Sequence, residues 1–113
     1  MNMTQKYLTD LKAKHGGASD YKASLILGIS QQAVSRYKQG QRQMNEDVAT
    51  KLASELGLDP VKMYAEVRTE TAESPESRQF WGRILDMSKT MPALALLGLA
   101  VVLPLGNEAL SIL

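Results

Sequence analysis

The feature that most constrains this chain is a glycine set between two short apolar-patterned segments, each opened by a serine. Ser19 stands where a cap oxygen can accept a free amide of the next turn, and Asp20 to Leu27 follows with Ala23, Leu25, Ile26 and Leu27 at helical spacing. Gly28 interrupts after eight residues, too soon for most helices to end without a reason. Ser30 offers a second cap, and Gln31 to Gln39 reads as another short helix ended by Gly40. A tight pair of this kind needs a small residue where the helices cross, a residue tolerant of left-handed geometry in the turn, and an apolar branched residue facing inward from the second helix. Ser24, Gly28 and Val34 stand at those places, with Leu27 and Ile29 flanking the glycine and able to pack inward. Serine stands at the crossing where alanine is usual, and a buried serine must bond back to its own helix.

The rest of the chain carries the same punctuation. Thr4 to Lys14 places Tyr7, Leu8 and Leu11 on one helical face, and His15-Gly16-Gly17 stops it. Asn45 caps a helix with Glu46 and Asp47 in its first turn, an apolar stripe of Val48, Ala49, Leu52, Ala53 and Leu56, and Gly57 at its end. Asp59-Pro60 restarts the pattern, which continues through Val61, Tyr64, Ala65 and Arg68 into Thr71. Ser74-Pro75-Glu76 precedes Phe80, Trp81, Ile84 and Leu85 on an amphipathic helix reaching about Lys89. No stretch alternates with period two, so the expected fold is all-α. The expected organisation is a helical domain over residues 1–68, a linker and amphipathic helix over 69–89, and a hydrophobic tail over 90–113.

Charge divides the chain. Residues 1–45 hold seven basic and two acidic side chains, whereas residues 46–113 hold six basic and ten acidic ones. Such a split points to a nucleic-acid surface at the N-terminal end, and a merely solvated basic face fits the charges equally well. The chain has no Cys and a single His, which removes disulfides, thiolate chemistry and multi-histidine metal sites. Ser35 has no base nearby, and His15 sits beside two glycines with no acid partner evident, so neither an enzyme, a metal nor a cofactor is expected. Met1 to Leu11 lacks the apolar run of a signal peptide, which leads us to expect a cytoplasmic location.

The stretch from Tyr21 to Gly40, with its Leu-Gly-Ile-Ser turn and Val34-Ser35, resembles the DNA-binding domain of lambdoid phage repressors and Cro and of the wider xenobiotic-response-element class. The likeness continues through Asn45–Gly57 and Asp59-Pro60, which resemble that family's fourth and fifth helices, and the whole layout is similar to small repressor-like proteins of filamentous phages. It implies a five-helix lambda-repressor-like domain whose second motif helix enters the major groove N-terminus first. On this resemblance Gln31 and Gln32 read bases, Gln being able to donate and accept in one bidentate pair with adenine. Ser35 lies one turn on, and Arg36 reaches a guanine edge or a phosphate. Lys38 and Arg42 around the Gly40 turn, and Lys22 on the preceding helix, meet phosphates, while Tyr37 packs inward with Val34. Asp20 departs from the pattern, because the family often places a phosphate-binding amide there; a carboxylate would instead serve its own helix N-terminus.

The implied function is a sequence-specific transcriptional regulator, a phage or prophage repressor that occupies an operator on double-stranded DNA as a homodimer. Phe80, Trp81, Ile84 and Leu85 supply a dimer contact or else cover the helix from Asp59 onward. From Thr90 to Asn107 there are eighteen residues without a charge, the lower edge of a membrane-spanning length, with Arg83 and Lys89 before them. Pro104 would kink a span, and Glu108 would have to sit at an interface. The tail reads first as an inner-membrane anchor that leaves the DNA-binding end in the cytoplasm. A hydrophobic dimerisation helix, pairing two chains over the Phe80–Leu85 segment, and a partly out-of-frame or truncated remnant are the other readings. The rival function is a membrane-anchored interaction module whose helical domain holds a partner protein.

Overall fold

The computed structural model describes residues 1–90. Among these residues there are six helices and no strand: α1 Met3–Lys14, α2 Asp20–Leu27, α3 Gln31–Lys38, α4 Glu46–Leu56, α5 Pro60–Thr71 and α6 Pro75–Thr90. Of the hydrophobic tail expected over residues 90–113, with its membrane, dimerisation and remnant readings, all but Thr90 lies outside the described residues. No helix among the described residues is long and apolar enough to cross a membrane.

Each start is fixed by a side-chain oxygen that accepts one of the amides a helix leaves unpaired at its first turn. Ser19 accepts from the Lys22 amide at 3.1 Å, Ser30 from Ala33 at 3.0 Å, Asn45 from Val48 at 3.0 Å, Asp59 from Val61 at 3.0 Å and Ser74 from Ser77 at 3.0 Å. α1 begins one residue earlier than its apolar pattern suggests. The reason is a reciprocal cap: the Asn2 side chain accepts the Gln5 amide while the Gln5 side chain accepts the Asn2 amide, both at 2.8 Å.

α1 to α5 enclose one core built from Tyr7, Leu8 and Leu11, Ala23 and Leu27, Val34 and Tyr37, Met44, four residues of α4, and Met63 and Val67. The apolar pattern misleads in two places. Leu25 is 62% exposed, because α2 presents only Ala23, Ser24 and Leu27 inward. On α5 the inward residues are Met63, Ala65 and Val67, whereas Val61 is 56% exposed. An eight-residue helix has room for one narrow stripe, and its neighbours decide which apolar residues fill it.

α6 folds back along α5. Trp81 meets Tyr64 edge-to-face with centroids 5.6 Å apart, and the Arg68 guanidinium lies 5.3 Å from the Trp81 ring. Of the two roles open to the aromatic segment, covering the helix from Asp59 onward is the one Trp81 performs. Phe80, 59% exposed, touches only the edge of that contact through Trp81.

Candidate nucleic-acid interface

The corner between α2 and α3 is set by Gly28, whose φ of 68° lies in the left-handed region where a Cβ is strained. Its amide and that of Ile29 turn back to the carbonyls of Leu25 and Ser24, closing α2. Ser24 is buried and donates to the Tyr21 carbonyl at 2.6 Å, the bond its position requires. Val34 is fully buried and Tyr37 nearly so, which anchors α3 along one side.

The opposite side of α3 is free of core contacts. At about 100° per residue, Gln32, Ser35, Arg36 and Gln39 share a face directed away from Ala33, Val34 and Tyr37. Gln31, Gln32 and Arg36 are exposed and Ser35 is half-buried. Gln39 continues this face and donates to the Ser35 hydroxyl at 3.4 Å. It was not singled out from sequence, although its spacing four residues after Ser35 is the signal that finds it. Lys22 and Arg42 are exposed on α2 and in the loop after α3. Lys38, by contrast, is engaged within the protein.

Lys38 lies on the flank of α3 nearest Gln31, and its Nζ donates to Asp20 Oδ2 at 3.0 Å. The other oxygen of Asp20 accepts from Lys12 at the end of α1. These bonds from Lys12 and then Lys38 hold the Asp20 carboxyl below the usual carboxylate range. The carboxylate therefore does more than face its own helix N-terminus: it joins α1, α2 and α3. The Gln5 amide adds a second tie, donating to the Lys38 carbonyl at 2.8 Å.

His15, for which no acid partner was evident in the sequence, meets Glu55 with Nε2 and Oε1 3.1 Å apart, and Lys14 donates to the Glu55 carbonyl. These contacts close the end of α4 against α1, where the Lys14 ammonium suits the negative end of a helix dipole. Among the described residues no cluster of His, Cys, Asp or Glu is arranged to hold a metal.

A second surface lies on the α5–α6 side. Ala49, Pro60, Val61, Tyr64, Trp81 and Ile84 line an open apolar hollow of about 380 Å³. Exposed Phe80 and Val61 add apolar area to the same side of the molecule.

Two caps, a left-handed glycine and an anchored second helix with a polar outer face have the geometry of a helix-turn-helix, and the segment is similar to DNA-binding domains of the Cro/C1 type. Residues 16–63 match the helix-turn-helix family model, which describes DNA-binding regulatory domains and not enzymes. No curated protein and no solved structure matches the chain.

Proposed function

We propose that the protein is a sequence-specific transcriptional regulator that reads an operator with the outer face of α3. The observation that carries this reading is the division of α3 itself. Val34 and Tyr37 fix the helix to the body while Gln31, Gln32 and Arg36 stand exposed together on it. Gln31 and Gln32 then contact base edges, with Arg36 and Ser35 one turn further along the groove. Arg42, Lys22 and Lys38 contact phosphates on either side.

One such helix reads few base pairs, so the functional form is a homodimer on a two-fold site with half-sites about one helical turn apart. The largely apolar hollow bounded by α4, α5 and α6 supports this, because Val61 lies exposed in its lining and Phe80 is exposed next to Trp81. The resemblance to phage repressors supports repression by operator occupancy. The uncharged run from Thr90 to Asn107 supports attachment to a membrane, which co-sedimentation of the full chain with lipid vesicles tests.

The deciding experiment selects binders from a pool of random duplexes and follows them by mobility shift. Enrichment of a two-fold sequence, bound with a steep salt dependence, is the expected result. The reading fails if no duplex is shifted at low salt.

A further inference from the structure

Lys38 is the one basic group on α3 already committed to a partner inside the protein, and that partner is Asp20. The carboxylate is two-thirds shielded from solvent and carries a lysine on each oxygen, with Lys12 the more enclosed of the two. Lys38 is half-exposed, so it alone of the pair can swing outward without disturbing α1. Resting on the reading of α3 as the DNA-facing helix, we propose that Asp20 withholds Lys38 from phosphates and so weakens binding to arbitrary sequence, making Asp20 a specificity-determining residue.

The physical basis is competition for one ammonium group. A phosphate and the Asp20 carboxylate are both anions, and each forms a charge-assisted hydrogen bond with Lys38. On an operator, base contacts hold the duplex at fixed distance and orientation, and a phosphate sits steadily against Lys38. On arbitrary DNA the protein is held by phosphate contacts alone, so every cation kept back counts directly. When Lys38 departs, Lys12 alone holds the Asp20 carboxylate, and the oxygen set free repels a nearby phosphate, which an unaided encounter has nothing to offset.

The test uses the full chain and a duplex of random sequence, with affinity followed by fluorescence anisotropy between about 50 and 200 mM salt. Asp20→Asn is expected to tighten binding about five- to tenfold and to steepen the plot of log affinity against log salt by about one unit, the value of one further phosphate contact. Asp20→Ser, which keeps a short polar group at the start of α2, is expected to do the same. Introduced into the Asp20→Asn background, Lys38→Ala is expected to remove most of the gain. Unchanged affinity and slope in both Asp20 variants would overturn the proposal, as would a gain that survives Lys38→Ala. Absence of any salt-dependent binding by the unaltered protein would overturn the underlying DNA-binding reading instead.

Discussion

The hydroxyl of Thr4 accepts the backbone amide of Met44 at 3.2 Å, joining the first turn of α1 to the loop between α3 and α4. The same hydroxyl donates to Gln43 Oε1 at 2.7 Å, and Thr4 is fully buried. A buried amide left without its acceptor is costly, whereas the hydroxyl is replaced at equal volume by a methyl. Thr4→Val is therefore expected to destabilise the domain by about 1–3 kcal/mol, measured by urea denaturation. A loss below about 0.5 kcal/mol would mean that the loop amide finds another partner.

Gly28→Ala tests the corner itself. The left-handed conformation costs an ordinary residue about 1–2 kcal/mol. A Cβ at Gly28 would also come within 2.7 Å of Lys51 Nζ, the far end of a flexible side chain. Gly57 has nearly the same φ, 69°, and nothing within 4 Å of a Cβ. If Lys51 moves aside freely, urea denaturation will give the two Gly→Ala variants equal losses. A markedly greater loss at Gly28 would show that Lys51 is held in place.

Base reading and phosphate holding separate by salt. Gln32→Ala is expected to cost about 1–3 kcal/mol on the selected operator and little on random duplex. Arg42→Ala is expected to weaken both and to lower the salt slope by about one unit. An equal loss on every sequence for Gln32→Ala would remove that residue from base reading.

Val61→Asp with Phe80→Ser tests the α5–α6 surface. Both side chains are more than half exposed, so the fold should persist. Sedimentation equilibrium is expected to show a dimer for the native chain and a shift to monomer for the variant. A native chain that stays monomeric at the concentrations used, or a variant that remains dimeric, removes this surface from the dimer.

Acid stability reports on Asp20. Its carboxyl is held low by Lys12 and Lys38, so the folded state binds the proton less readily than the unfolded chain. The contribution is present above the ordinary carboxylate value of about 3.9 and is lost as pH falls through the lower, folded value. Denaturation curves of native protein and Asp20→Asn should thus differ by a constant amount at neutral pH and converge in acid. A difference that grows on acidification would contradict the pairing.

Much of this molecule is written in local residue choices. Ser19, Ser30, Asn45, Asp59 and Ser74 each take the cap role that a short oxygen-bearing side chain before an apolar pattern implies. Gly28 and Gly57 adopt the left-handed backbone expected at the ends of α2 and α4. Such signals are legible because a cap or a left-handed glycine depends on neighbours within a few residues. Thr4 was not legible in the same way: nothing near it indicates that Met44 and Gln43 will arrive to share its hydroxyl. Met63 and Val67 were passed over for Val61, since a helix that packs on two sides has no single stripe to follow.

The order of helices, their ends and the corner at Gly28 were thus settled by the sequence alone, because short-range hydrogen bonds and backbone sterics decide them. The exposed placement of Gln31, Gln32 and Arg36 follows almost as directly, once Val34 and Tyr37 are taken as inward-facing. Tertiary structure decided which charges meet. Lys12, Asp20 and Lys38 come from three helices, His15 and Glu55 from opposite ends of the domain's sequence, and Trp81 reaches Arg68 only because α6 turns back on α5. Electrostatic and aromatic contacts depend on distance in space, and distance in space is fixed only when the helices have packed.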